Sequence, residues 1–154
     1  MGLQRVAVLL AALWWGGITG LSFLAVPTLF AVLGNPAVAG PVAARLFSMQ
    51  CWAGIALGVL LMLVLRRQRS GLPQEASSHA LAALRGLLVT MVLVALAVAL
   101  AMGQEFGVAP HIVSARATGG NLRFWHSLGS VMVLGQWLLA GTILWRVSGN
   151  ANRS

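Results

Sequence analysis

From Val6 to Leu33 the chain reads VAVLLAALWWGGITGLSFLAVPTLFAVL, without one charged side chain. About 28 residues at ~1.5 Å each make ~42 Å of helix, against a hydrocarbon core of ~30 Å. Inside lipid a backbone has no water to bond, so a run like this crosses as a helix. Charged residues are 8% of the chain, where a soluble domain carries roughly 25%. That excludes a soluble globular enzyme. The formal net charge of +8 does not signal nucleic acid, because the ten basic residues are arginines placed almost entirely between apolar runs, as membrane orientation requires. A single cysteine, Cys51, rules out an intramolecular disulfide or a CxxC redox centre. The first run is about twice the length of a signal-peptide core, so it is expected to stay in place as a span.

Three further apolar runs follow, and the expected spans are about 6–33, 42–65, 81–104 and 123–146, in one domain over 1–154. Gly34, Asn35 and Pro36 break the first helix, and Pro41 suits the first turn of the second. Gly16 and Gly20 form a small-xxx-small pair in the first span, and Gly54 and Gly58 repeat it in the second. Stripes like these let helix backbones approach closely, and a link this short makes the two helices antiparallel neighbours with their stripes facing. Residues 66–80 (RRQRSGLPQEASSHA) are the one long polar stretch between spans. The stretch 103–122 is also polar, and Pro110 and Gly119 are placed to open and close a short interfacial helix.

Four spans put both termini on one side. That side holds Arg5, Arg66, Arg67, Arg69, Arg85, Arg146 and Arg153, and the other holds Arg45, Arg116 and Arg123. The bias orients both termini to the cytoplasm. The fold class is all-α, an integral membrane four-helix bundle, N-in and C-in.

On that topology Thr28, Arg45, Glu105, His111, Arg116, Arg123 and His126 all fall at the outer helix ends or in the outer loop. Arg123 and His126 are three apart and share a helix face. Unpaired charges are costly in a low-dielectric setting, so this cluster is either a cap of salt bridges or a binding site. Three outer arginines against one acid, Glu105, favour a small anionic ligand, a lipid headgroup or a partner. The chain is read as a multi-pass protein without catalytic residues, in contact with the bilayer and open to self-association or another membrane protein. No HxxH, MxxM or CxxC spacing is present, and no metal or cofactor is assigned. No Asp or Glu is expected at mid-membrane depth, which argues against a proton-coupled exporter.

The segments WWGGITGLSFLAVPTLFAVL, AGPVAARLF, PHIVSAR and FWHSLGS together resemble a bacterial family, domain of unknown function 4149, which is similar to the eukaryotic transmembrane protein 205 group. The most specific pieces are Pro27-Thr28-Leu29-Phe30, Ala39-Gly40 with Arg45-Leu46-Phe47, and Phe124 with His126. The resemblance implies a four-span protein of the bacterial inner membrane with no established activity. A more distant similarity to copper-resistance D-type membrane proteins implies the alternative of a small transporter or copper-handling protein.

The orientation is testable. With Cys51→Ser as background, a cysteine placed at Ser114 is expected to react with an impermeant thiol reagent from outside, and one at Ser77 only after the membrane is opened. The reverse pattern means the arginine bias was misread.

Overall fold

The computed structural model describes residues 2–71 and 77–151, with the side chains at 116, 117, 150 and 151 outside that description. Among the described residues there are four long helices and no strand. The first helix runs Gly2–Leu33 and the second Pro36–Ser70. The third begins at Ser78 and continues to Thr118, and the fourth spans Leu122–Ala151. Each is long and apolar enough to cross a membrane.

The turns follow from a few local bonds. Gly34 takes a left-handed φ of 60°, and its N–H bonds the Phe30 carbonyl at 3.1 Å, a conformation that costs glycine little. Asn35 then caps the second helix by accepting from the Ala37 N–H at 2.9 Å, and Pro36 follows at the first position, where no N–H is needed. With both signals in place the second helix starts at Pro36 rather than near 42, and Pro41 lies inside it. Gly119 (φ 75°) ends the third helix, and Asn121 caps the fourth by accepting from Phe124 N at 3.1 Å.

The third helix does not stop near 104. It passes without a break through 103–108 and on to Thr118, so the expected interfacial helix is its outer continuation. Two segments of the bundle have π rather than α geometry, Gly20–Ala25 in the first helix and Gly103–Val108 in the third. Each ends two residues before a proline, Pro27 or Pro110. A helical proline cannot donate and its ring presses on the carbonyl four residues back. Here the ladder widens instead: Val26 N–H reaches Leu21 O and Ala109 N–H reaches Gln104 O, five residues back.

Each helix packs on its chain neighbours, and the first packs on the fourth, closing a square bundle. Both termini lie at one end. There Gln4 donates to the Val147 carbonyl and accepts from Gln68 Nε2 at 3.0 Å. Arg146 donates to Gly86 O at 2.9 Å and Thr90 Oγ1 at 3.0 Å. The dry core fills this half of the bundle: Ala7, Ala11, Trp14, Leu61, Ala97 and Ile143 are all buried within it. Small residues on every helix let the backbones close.

Trp14 is the wedge of that core, 1% exposed. A Cβ added to Gly54 would meet its Nε1 at 2.9 Å, and one added to Gly58 would overlap Val98 and meet the indole at 3.0 Å. Gly16 and Gly20, expected to face the second helix, have nothing within 4 Å of an added Cβ. The close contact between the first two helices is thus an indole laid into one glycine stripe, not two stripes facing. A tryptophan needs the room that both missing side chains leave. Gly58→Ala is therefore expected to destabilise by ~1–3 kcal/mol through overpacking, while Gly16→Ala changes stability little. Thermal unfolding of the purified variants in detergent checks the contrast; equal losses at both positions would refute the wedge.

Candidate functional site

Beyond the packed half the bundle opens. A cavity of about 780 Å³ lies between the helices in the half away from the termini. All four helices line it, through Phe23 and Val26, Phe47 and Cys51, Glu105 and Val108, and His126 and Trp137. Its size falls within the ~300–1,000 Å³ of small-molecule sites, and so does its chemistry, apolar walls with a few convergent polar groups.

Both π segments form its wall. A wide turn adds one residue and rotates the helix beyond it, so two consecutive side chains of the third helix can face inward. Gln104 is buried and accepts from Gln136 Nε2 at 2.8 Å, tying the third helix to the fourth. Glu105, next in the chain, accepts from Ser48 Oγ at 2.6 Å, tying the third to the second. Near the same depth Trp137 Nε1 donates to Thr19 Oγ1 at 2.9 Å, and Thr19 Oγ1 donates to its own helix at Trp15 O, 2.7 Å away.

Two polar atoms of the wall have no partner. Among the described residues, Glu105 Oε2 and Ser22 Oγ are buried and make no hydrogen bond. A buried oxygen left this way costs ~1–3 kcal/mol, more for a charged group, so these two atoms are where a bound molecule gains most by donating.

The expected cluster divides. Glu105 and His126 both line the cavity. Thr28, Arg45 and Arg123 are exposed and are not among the lining residues. His111 is exposed, stacks on Trp125 with centroids 4.2 Å apart, and bonds the Gly107 carbonyl through Nδ1 at 2.6 Å. The side chain of Arg116 lies outside the described residues. Glu105 thus bonds a serine, and the described outer arginines stay on the surface. Ser22, Ser48 and Gln104 are wall residues that sequence reasoning did not single out. A signal for two of the wall positions was present: GLSFLAVP (20–27) and GQEFGVAP (103–110) share Gly, Phe and Pro at equal spacing. The residue before each Phe is Ser22 or Glu105, the two with orphaned oxygens.

Comparison with protein families gives one match: the model of a domain of unknown function, DUF4149, covers residues 9–121, more than half of the chain. No curated protein and no solved structure matches.

The Ser48–Glu105 bond predicts a specific non-additivity. Ser48→Ala leaves both carboxyl oxygens without a protein donor and is expected to cost ~1–3 kcal/mol. In a Glu105→Leu background the same change should cost clearly less, because the group it serves is gone. A double-mutant cycle on thermal stability measures the difference, and full additivity would mean the bond contributes nothing.

Proposed function

The chain belongs to the DUF4149 family, and since that family brings no activity with it, we propose from the geometry that this multi-pass membrane protein binds an amphipathic small molecule in its interhelical cavity. The observation that carries the proposal is the buried Glu105 Oε2, without a partner among the described residues, in a mostly apolar wall. The ligand it fits has an apolar body and a head that donates hydrogen bonds, an ammonium above all, because charge-assisted bonds to carboxylates are the stronger kind. Three outer arginines pointed toward an anion, but Arg45 and Arg123 lie outside the wall. An anion in this cavity would meet a carboxyl group and no described arginine. Binding rather than catalysis is the reading. Among the described residues the one hydroxyl–carboxyl pair, Ser48 with Glu105, has no third group orienting it as an activated nucleophile would.

A transport reading draws on a separate observation. Because the third helix continues to Thr118, Glu105 stands inside a helix of the bundle rather than at its end. An ionisable side chain in that setting is a hallmark of substrate and ion pathways. Binding and transport begin with the same contact, so the first experiment is common to both.

In a mild nonionic detergent, dodecylamine is expected to raise the melting temperature of the purified protein, and lauric acid of matched chain length is not. Glu105→Gln should remove most of the amine effect. Stabilisation by the fatty acid alone would overturn the proposal and return the outer arginines to the centre of the site.

A further inference from the structure

We infer that the cavity is a bay open sideways to the outer lipid leaflet, between the first and fourth helices, and that its occupant is a bilayer lipid with a primary ammonium headgroup. This rests on the binding site proposed above and adds where the ligand comes from and how it lies.

The opening follows from the packing. Gly2–Thr19 packs on both the second and the fourth helix, whereas Val26–Leu33 packs on the second. The first and fourth helices, held together by the Thr19–Trp137 bond and by Phe23 packed edge-on against Trp137, therefore part beyond these contacts. The edges of the gap are exposed apolar side chains that also line the cavity, Phe23 and Phe30 on the first helix and Leu134 on the fourth. In a membrane such a gap faces acyl chains, not water.

The depth follows from the charges. Arg45 and Arg66 lie on one helix, about 21 residues or ~32 Å apart. Arg85 and Glu105 lie on the third, about 20 residues or ~30 Å apart. Both spacings match a hydrocarbon core of ~30 Å with its charged residues at the rims. Glu105, bonded to Ser48 one turn from Arg45, then sits at the outer rim of the core, the depth at which a lipid carries its headgroup. Cys51 lines the cavity about one turn deeper along the second helix, the direction in which the same lipid's chain must run. A head that donates N–H bonds at Glu105 and an acyl chain leaving between Phe23 and Leu134 satisfy the carboxyl oxygen and the apolar wall together. Free amines from solution would need neither the lateral gap nor this depth.

The test uses the full-length protein reconstituted in vesicles of phosphatidylethanolamine, phosphatidylcholine and phosphatidylglycerol in equal parts, with the retained lipid read by native mass spectrometry. One retained phosphatidylethanolamine is expected, at least ~5-fold over phosphatidylcholine, which differs at the nitrogen by having no N–H to donate. The preference should fall stepwise with N-methylated and N,N-dimethylated headgroups in the wild-type protein, and should vanish in Glu105→Gln. A diazirine halfway along the acyl chain should crosslink to residues 22–30 and 126–137. Equal retention of all three lipids, or crosslinks on the outward faces of the second and third helices, would overturn the inference. If dodecylamine stabilises the protein while no lipid is retained, the lateral source is wrong and the binding site stands; if neither binds, both fall.

Discussion

Two missing amide hydrogens shape this protein. Pro27 and Pro110 each interrupt the hydrogen-bond ladder of a long helix in an environment that offers the backbone no water. In both helices the bond moves to five residues back, over Gly20–Ala25 and Gly103–Val108. The chain keeps its helical course but gains a residue in the turn, and the side chains beyond are rotated and the helices eased apart. The site exists because these two wide turns stand at the same level of the bundle.

The bundle therefore has two halves with different physics. Toward the termini, alanines and glycines let backbones close around Trp14, and the ends are fastened by Gln4, Gln68 and Arg146. Between lipid-facing helices there is little hydrophobic gain from burying apolar surface, so fit and hydrogen bonds must hold the assembly. Away from the termini the fit is loose, and three polar links take over: Thr19 to Trp137, Gln104 to Gln136, and Ser48 to Glu105. Each ties a different pair of neighbouring helices. A frame fastened this way can keep a cavity open without collapsing.

Charge placement gives the cavity its character. Arg45 and Arg123 are carried on the surface, where long stems can reach headgroups, and the acid is turned inward. Counting charges on the outer side suggests an excess of positive sites. The described lining of the cavity holds the acid Glu105 and the imidazole of His126, and no arginine. Which charges face a ligand matters more than how many share a membrane face.

The amino-acid sequence by itself determined a good deal: membrane residence, four helices and both termini at one end. Those follow from run length, composition and short connections, properties local to the chain. It also marked Glu105 and His126, because polar side chains among apolar ones are visible without coordinates. It did not reveal that Gly16 and Gly20 point away while Gly54 and Gly58 receive Trp14, since any glycine pair four apart looks alike until a partner helix selects one. Nor did it place the end of the third helix, because QEFG and PHIVSAR read as loop by composition, whereas the folded chain packs this stretch on the second and fourth helices. Tertiary structure decided the site. Ser48 and Glu105 are 57 positions apart in the chain, and a hydrogen bond over that span depends on helix rotation. In the third helix that rotation comes with the wide turn before Pro110, and the matching turn before Pro27 shapes the wall of the first.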